Sequence, residues 1–133
     1  PFTTEKFDLT EEEKEKFGNF VFNVSKLVNT DTALCCADIL VADYSSLIFE
    51  FSLLERPMLF FAYDLEEYDR DRSFYYDYKS FVPGKIVTDT DEIIEAVQKN
   101  DFQEEKVRPF KEKFMSACDG NCTKRIADYA VSD

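Results

Sequence analysis

Asp43, Ser45 and Ser46 stand in the polar gap of "ADILVADYSSLIFEFSLLERPMLFF" (residues 37–61) that separates an apolar run reading as a buried strand from one reading as a buried helix; Arg56-Pro57 breaks the stretch again before Met58. The two hydroxyls at such a junction, with the helix amides beside them, are suited to hold an anion. Hydroxyls donate, and the first amides of a helix lack internal partners and carry the positive end of its dipole. The same residues also make an ordinary helix start, with Ser45 as N-cap and Asp43 as a strand-end acid. Glu50 shifts the balance, because it lies four residues after Ser46 among Leu47, Ile48, Phe49 and Phe51. A carboxylate in such company must find hydrogen bonds or face water. Ribose hydroxyls next to a bound diphosphate would supply them; the other partners within reach of the sequence are Arg56 and Lys124.

Several chemistries are excluded by composition. The 133 residues include no histidine, the commonest general base near neutral pH, so a complete hydrolase or transferase site is not expected among them. The four cysteines, Cys35, Cys36, Cys118 and Cys122, fit neither zinc-ligand spacing nor a secreted disulfide framework. No metal site is expected, and all four are read as free thiols. Sixteen basic against 28 acidic residues leave a net charge of −12, which argues against nucleic acid as a partner and against a basic membrane-binding face. No apolar run approaches the roughly 20 residues that span a bilayer, and "PFTTEKFDLTEEEKEKF" does not read as a signal peptide.

The elements that must position these residues follow from pattern. Residues 1–133 are read as a single domain. Residues 8–17 read as a solvated acidic helix or turn, and "FVFNVSK" (20–26) as a short strand. Thr30 or Asp31 is available to cap a short helix. "DILVAD" (38–43) has the continuous apolar character of a parallel strand covered on both faces. A helix over 46–54 and a strand at "MLFFA" (58–62) complete a βαβ unit. A tyrosine- and acid-rich stretch without period follows, then a last strand at "KIVTD" and a helix behind a capping box at 88–91. Two helices over 103–116 and 121–131 close the chain, the second capped by Asn121 or Thr123. The expectation is an α/β fold with about four visible parallel strands.

Three segments together carry a resemblance. "ADILVADYSSLIFEFSLLERPMLFFAYDLEEY", "VPGKIVTDTDEIIEAV" and "FKEKFMSACDGNCTKRIADY" resemble the C-terminal part of the CDP-glycerol glycerophosphotransferases, the teichoic acid polymerases and primases, over about residues 20–131. That family is similar to the GT-B glycosyltransferases, with two Rossmann-like domains and the donor held mainly by the second. The resemblance implies a Rossmann-like parallel sheet flanked by helices, the donor-binding half of a GT-B fold, truncated at its N-terminus. It implies transfer of glycerol phosphate or ribitol phosphate from a CDP-linked donor to a hydroxyl of a lipid-linked polyol-phosphate acceptor, with CDP-glycerol or CDP-ribitol as substrate and no further cofactor. By the same resemblance Ser45 and Ser46 hold the donor diphosphate beside Asp43, and Glu50 lies near the ribose. The family's catalytic histidines have no counterpart; one belongs to a His-Pro pair of which Pro1 is read as the remnant. This chain alone is therefore expected to be inactive, with the acceptor engaged by a missing N-terminal domain. The full-length protein is expected in the cytoplasm, peripheral at the inner face of the membrane.

Other residues keep two readings. The stretch from Tyr63 and Asp64 to Tyr78 either covers the bound cytidine or acceptor, with tyrosines stacking on a base, or forms an irregular lid on the sheet edge. Residues 103–125 carry six basic side chains (Lys106, Arg108, Lys111, Lys113, Lys124, Arg125) against four acids. Lys124 and Arg125 are candidates to approach a phosphate, whereas the others read as a solvated helix face. Arg56, before Pro57, reads as a cap on helix carbonyls. Two functional alternatives remain: a nucleotide-sugar-dependent GT-B glycosyltransferase domain, and a non-catalytic α/β binding module.

Overall fold

The computed structural model describes residues 9–25 and 27–132, in two compact units, Pro1–Ala37 and Asp38–Asp133. In the first unit, α1 (Glu11–Phe17) starts on a capping box: the Thr10 hydroxyl accepts from the Glu13 amide, and the Glu13 carboxylate accepts from the Thr10 amide at 2.8 Å. Three glutamates in its first turn and Lys14 and Lys16 in its last complement the helix dipole. The helix α2 (Thr30–Cys36) is capped by neither Thr30 nor Asp31 but by Asn29, whose side chain accepts from the Thr32 amide at 2.8 Å. The strand expected over 20–26 does not form: residues 20–25 pair with no strand, and Phe20 and Phe22 are exposed. β-Branched and aromatic residues favour a pleated, half-buried surface only where a neighbouring strand provides one. Lys26 and Pro1, and the reading placed on Pro1, lie outside the described residues.

The second unit is built on a parallel sheet of three strands in the order β1-β2-β3, not four. These are β1 (Leu40–Ala42), β2 (Met58–Phe61) and β3 (Lys85–Val87), registered Leu40 to Met58 and Leu59 to Lys85. Met58, Leu59 and Phe60 of the central strand are all fully buried, as expected of a parallel strand covered on both faces. Leu59 joins Val87, Ala96 and Phe102 in one cluster under α6 (Thr90–Lys99). Phe60, pointing the other way by the period-two rule, meets the ring of Tyr78. Gly84 belongs to this packing: a Cβ there would lie 2.4 Å from the Met58 carbonyl oxygen and 3.0 Å from the Phe60 ring, so only glycine lets the chain pass so close to β2.

Between β1 and β2, α3 (Leu47–Ser52) buries Ile48 and Phe51 and packs on α7 (Val107–Phe114), with Phe49 against Phe110 and Phe114 at 5.2 and 5.7 Å between ring centroids. Glu55, just beyond α3, ties the same pair together through Lys111 at 2.7 Å. The helix expected over 103–116 is instead a 3₁₀ turn (Glu104–Lys106) followed by α7. Pro109 then falls in the first turn of α7, where a missing amide costs nothing. The stretch read as aperiodic holds two helices, α4 (Leu65–Arg72) and α5 (Tyr78–Phe81), the latter capped by Asp77. The cap of α6 sits on Asp89, which accepts from the Glu92 amide at 2.8 Å, while the Glu92 carboxylate reaches Thr88. The last helix is α8 (Cys122–Val131), on Asn121. All four cysteines are free. Among the described residues no helix is long and apolar enough to cross a membrane.

Candidate functional site

The 43–46 turn lies beyond the carboxyl end of β1, the end at which open parallel sheets bind ligands, and it leads directly into α3. Its hydroxyls are disposed differently from the sequence expectation. Ser46, not Ser45, occupies the N-cap position, and its side chain makes no capping bond. Ser45 Oγ instead accepts from the Leu47 amide at 3.3 Å, which leaves its own O–H available to donate outward. Ser46 and Glu50, one helical turn apart and therefore on one face, are both exposed, and neither side chain has a partner among the described residues. Lys124, one of the cations considered for Glu50, is bonded instead to Asp128 at 2.6 Å.

Beside the turn lies a cavity of about 230 Å³, walled by Ser45, Ser46, Phe49, Phe74, Tyr76 and Tyr78 among others. Its lining is mainly aromatic, with the serines and Asp43 at one side. The turn is fastened by two phenols. Tyr78 Oη donates to the Asp43 main-chain oxygen at 2.9 Å, and Tyr44 Oη donates to Asp64 Oδ1 at 2.7 Å. Tyr44 also stacks on Tyr68 of α4 with ring centroids 3.8 Å apart. Asp64, expected at a phosphate or acceptor, thus serves the turn from the start of α4. Tyr63 is exposed and borders a different crevice of about 450 Å³ with Arg70, Lys79 and Thr88, outside the ends of β2 and β3. Arg125 is engaged by Asp119 at 2.8 Å and by the Ala117 carbonyl. Neither Lys124 nor Arg125 lines the cavity beside the turn.

Tyr44 and Tyr78 were not legible as supports of the turn; the only signal was the tyrosine density of "FYYDY". Burial, then the Asp64 carboxylate, pushes the Tyr44 phenol well above its ordinary range. Burial, then the Asp43 carboxylate, does the same to Tyr78. Both stay hydrogen-bond donors at all physiological pH. Since the folded values lie above the unfolded value of about 10, their contribution is complete below that pH and is lost as pH rises through the folded values. An ultraviolet titration should show Tyr44 and Tyr78, of the seven tyrosines, ionising only as the fold is lost. Replacing both by phenylalanine should remove the late phase; a late phase that survives would assign it to other tyrosines.

Residues 1–132 match the family described as CDP-glycerol:poly(glycerophosphate) glycerophosphotransferase. The chain belongs to that family. It is 38% identical over 126 residues to the teichoic acid ribitol-phosphate polymerase TarL of Staphylococcus aureus (strain NCTC 8325 / PS 47), covering 95% of this chain and 22% of the relative. It is 34% identical over 128 residues to a teichoic acid poly(glycerol phosphate) polymerase of Bacillus spizizenii (strain ATCC 23059 / NRRL B-14472 / W23), covering 94% of this chain and 31% of that protein. The fold superposes on the wall teichoic acid polymerase TagF with a TM-score of 0.74 at 31% identity, over 87% of this chain and 30% of TagF. The chain thus spans about a fifth to a third of these relatives. The match bears out the glycerophosphotransferase resemblance and the expected α/β architecture, a parallel sheet flanked by helices that forms part of a GT-B fold.

Proposed function

We propose that this chain supplies the nucleotide-donor site of an enzyme of teichoic acid synthesis that transfers a polyol phosphate from a CDP-linked donor to a hydroxyl. Family membership supports the reaction class, and a variant of TagF has been soaked with CDPG. The observation that carries the placement is Ser46, exposed and making no capping bond at the wall of an aromatic-lined cavity, with the exposed Glu50 one turn further along α3, outside the cavity lining. In this reading the Ser45 and Ser46 hydroxyls donate to the diphosphate oxygens. Helix α3 has only six residues, so its dipole is small and the hydroxyls carry most of the attraction. Glu50 accepts from the ribose hydroxyls.

In the transfer, the acceptor oxygen bonds to the distal phosphorus, the bridging P–O bond breaks and CMP leaves. The acceptor proton goes to a base that these 133 residues, without histidine, do not supply. The chain alone is accordingly expected to bind donor without turning it over. The acceptor, a lipid-linked polyol phosphate in this reading, is engaged by residues outside this sequence, at the inner face of the membrane.

Glu50→Gln keeps the shape and removes the charge. CDP binding should weaken by about 1–2 kcal/mol, while inorganic pyrophosphate, which has no ribose, should bind as well or slightly better. Calorimetric titration of both ligands into both proteins decides it: equal losses for the two reject the ribose role. Titrating CDP-glycerol, CDP-ribitol and a UDP-sugar in parallel fixes the donor class, and tighter binding of the UDP-sugar would replace the reading with a glycosyltransferase.

A further inference from the structure

The 43–46 turn is held by a side chain that the donor-site reading does not itself use. Tyr78 opens α5, is only 6% exposed, and reaches 35 residues back along the chain to donate its hydroxyl to the Asp43 carbonyl. Its ring is wedged among Phe60 of β2, Tyr44 of the turn and Phe74, with centroids at 6.4, 5.2 and 5.0 Å. Phe60 is fully buried in the central strand, so the sheet itself dictates where the Tyr78 hydroxyl points. The tie from Tyr44 to Asp64 holds a side chain of the turn, whereas Tyr78 holds its main chain. The carbonyl that Tyr78 fixes lies two residues before Ser45, so the few backbone dihedrals between them carry its position to the Cα atoms of the two serines.

We propose that Tyr78 is a positioning residue for the donor site: its hydroxyl fixes the Asp43 carbonyl and thereby aims Ser45 and Ser46 at the diphosphate. The inference rests on the donor-site reading above. It also makes a prediction that reading lacks. Glu50 acts on the ribose alone, but a turn that aims the serines acts on the diphosphate, so loss of the Tyr78 hydroxyl must weaken CDP and pyrophosphate together.

Tyr78→Phe keeps the ring and removes the bond. Both ligands should bind roughly threefold to tenfold more weakly, the range for one neutral hydrogen bond. The Leu47 amide, held by Ser45 Oγ, should exchange faster with solvent. Ala96→Gly, on the buried face of α6, serves as the control that lowers stability without touching the turn, and should leave both affinities and the relative exchange of Leu47 unchanged. Phe74→Leu, which removes one ring that orients Tyr78, is the second variant should Tyr78→Phe fail to fold; it should weaken both ligands in the same direction. If the wild-type chain binds neither CDP nor pyrophosphate, the donor-site reading falls and the inference with it. If wild type binds and Tyr78→Phe binds equally well, the positioning role alone is overturned. Equal weakening by Ala96→Gly also overturns it, since Tyr78 would then act only through global stability.

Discussion

Replacing Ser45 and Ser46 together by alanine is expected to weaken CDP binding by about 1–3 kcal/mol, the range for hydrogen bonds to a charged group. Some affinity should survive, because main-chain amides of the turn remain. The two serines are not equivalent in the structure. Ser45 Oγ accepts from the Leu47 amide, so its loss also frees the first turn of α3 and should lower stability by about 1 kcal/mol. Ser46 makes no capping bond, and its single replacement should leave stability within about 0.5 kcal/mol while lowering affinity. Calorimetry with CDP and urea titration of each variant separate the effects. Equal protection of wild type and double variant by CDP against thermal unfolding would reduce the turn to a helix cap.

Phe60→Ala should be the most damaging single change to the fold, at about 3–5 kcal/mol, a large share of the roughly 5–15 kcal/mol that holds a typical domain. Phe60 is fully buried at the centre of the three-stranded sheet, beside the Gly84 backbone and against the ring of Tyr78. Its removal leaves a void at the point where β2, β3 and α5 meet, and takes the support from the ring that carries the Tyr78 hydroxyl. The urea midpoint should therefore fall sharply, and CDP affinity should drop even where the variant is folded. Tyr75→Ala is the contrast: Tyr75 is 93% exposed, and its loss should change stability by no more than about 0.5 kcal/mol. A Phe60→Ala variant as stable as Tyr75→Ala would contradict the packing described here.

The parts of the second unit that were legible are those where hydrophobic runs and turn residues agree. "DILVAD", "MLFFA" and "KIVTD" announced β1, β2 and β3 as short apolar runs, but only β2 is buried on both faces; against the expectation for 38–43, Val41 of β1 is 46% exposed, because β1 is an edge strand of the three. The polar residues between β1 and α3 located the turn, as Glu55-Arg56-Pro57 located the break between α3 and β2. Helices α4 and α5 stayed hidden because α4 presents little apolar surface and buries no residue, with Tyr68 alone joining a short aromatic cluster in place of a long stripe. The extended reading of 20–26 failed on partnership, since strand-forming side chains make a strand only where another strand meets them. Within the site, the sequence named Ser45, Ser46 and Glu50 but could not tell cap from uncommitted hydroxyl, a distinction of one residue in where α3 begins. It also could not see Tyr78, because a side chain 35 residues away comes to Asp43 only through the packing of α5 on β2.

A CDP-linked donor is proposed to bind at the 43–46 turn and the exposed face of α3. The most direct measurement follows the backbone amides of the isotopically labelled chain by NMR as CDP is added. Saturable shifts are expected at Ser45, Ser46, Leu47 and Glu50, weakened in the Ser45→Ala, Ser46→Ala double variant. Shifts confined to Tyr63, Lys79 and Thr88, at the crevice outside the ends of β2 and β3, would contradict it.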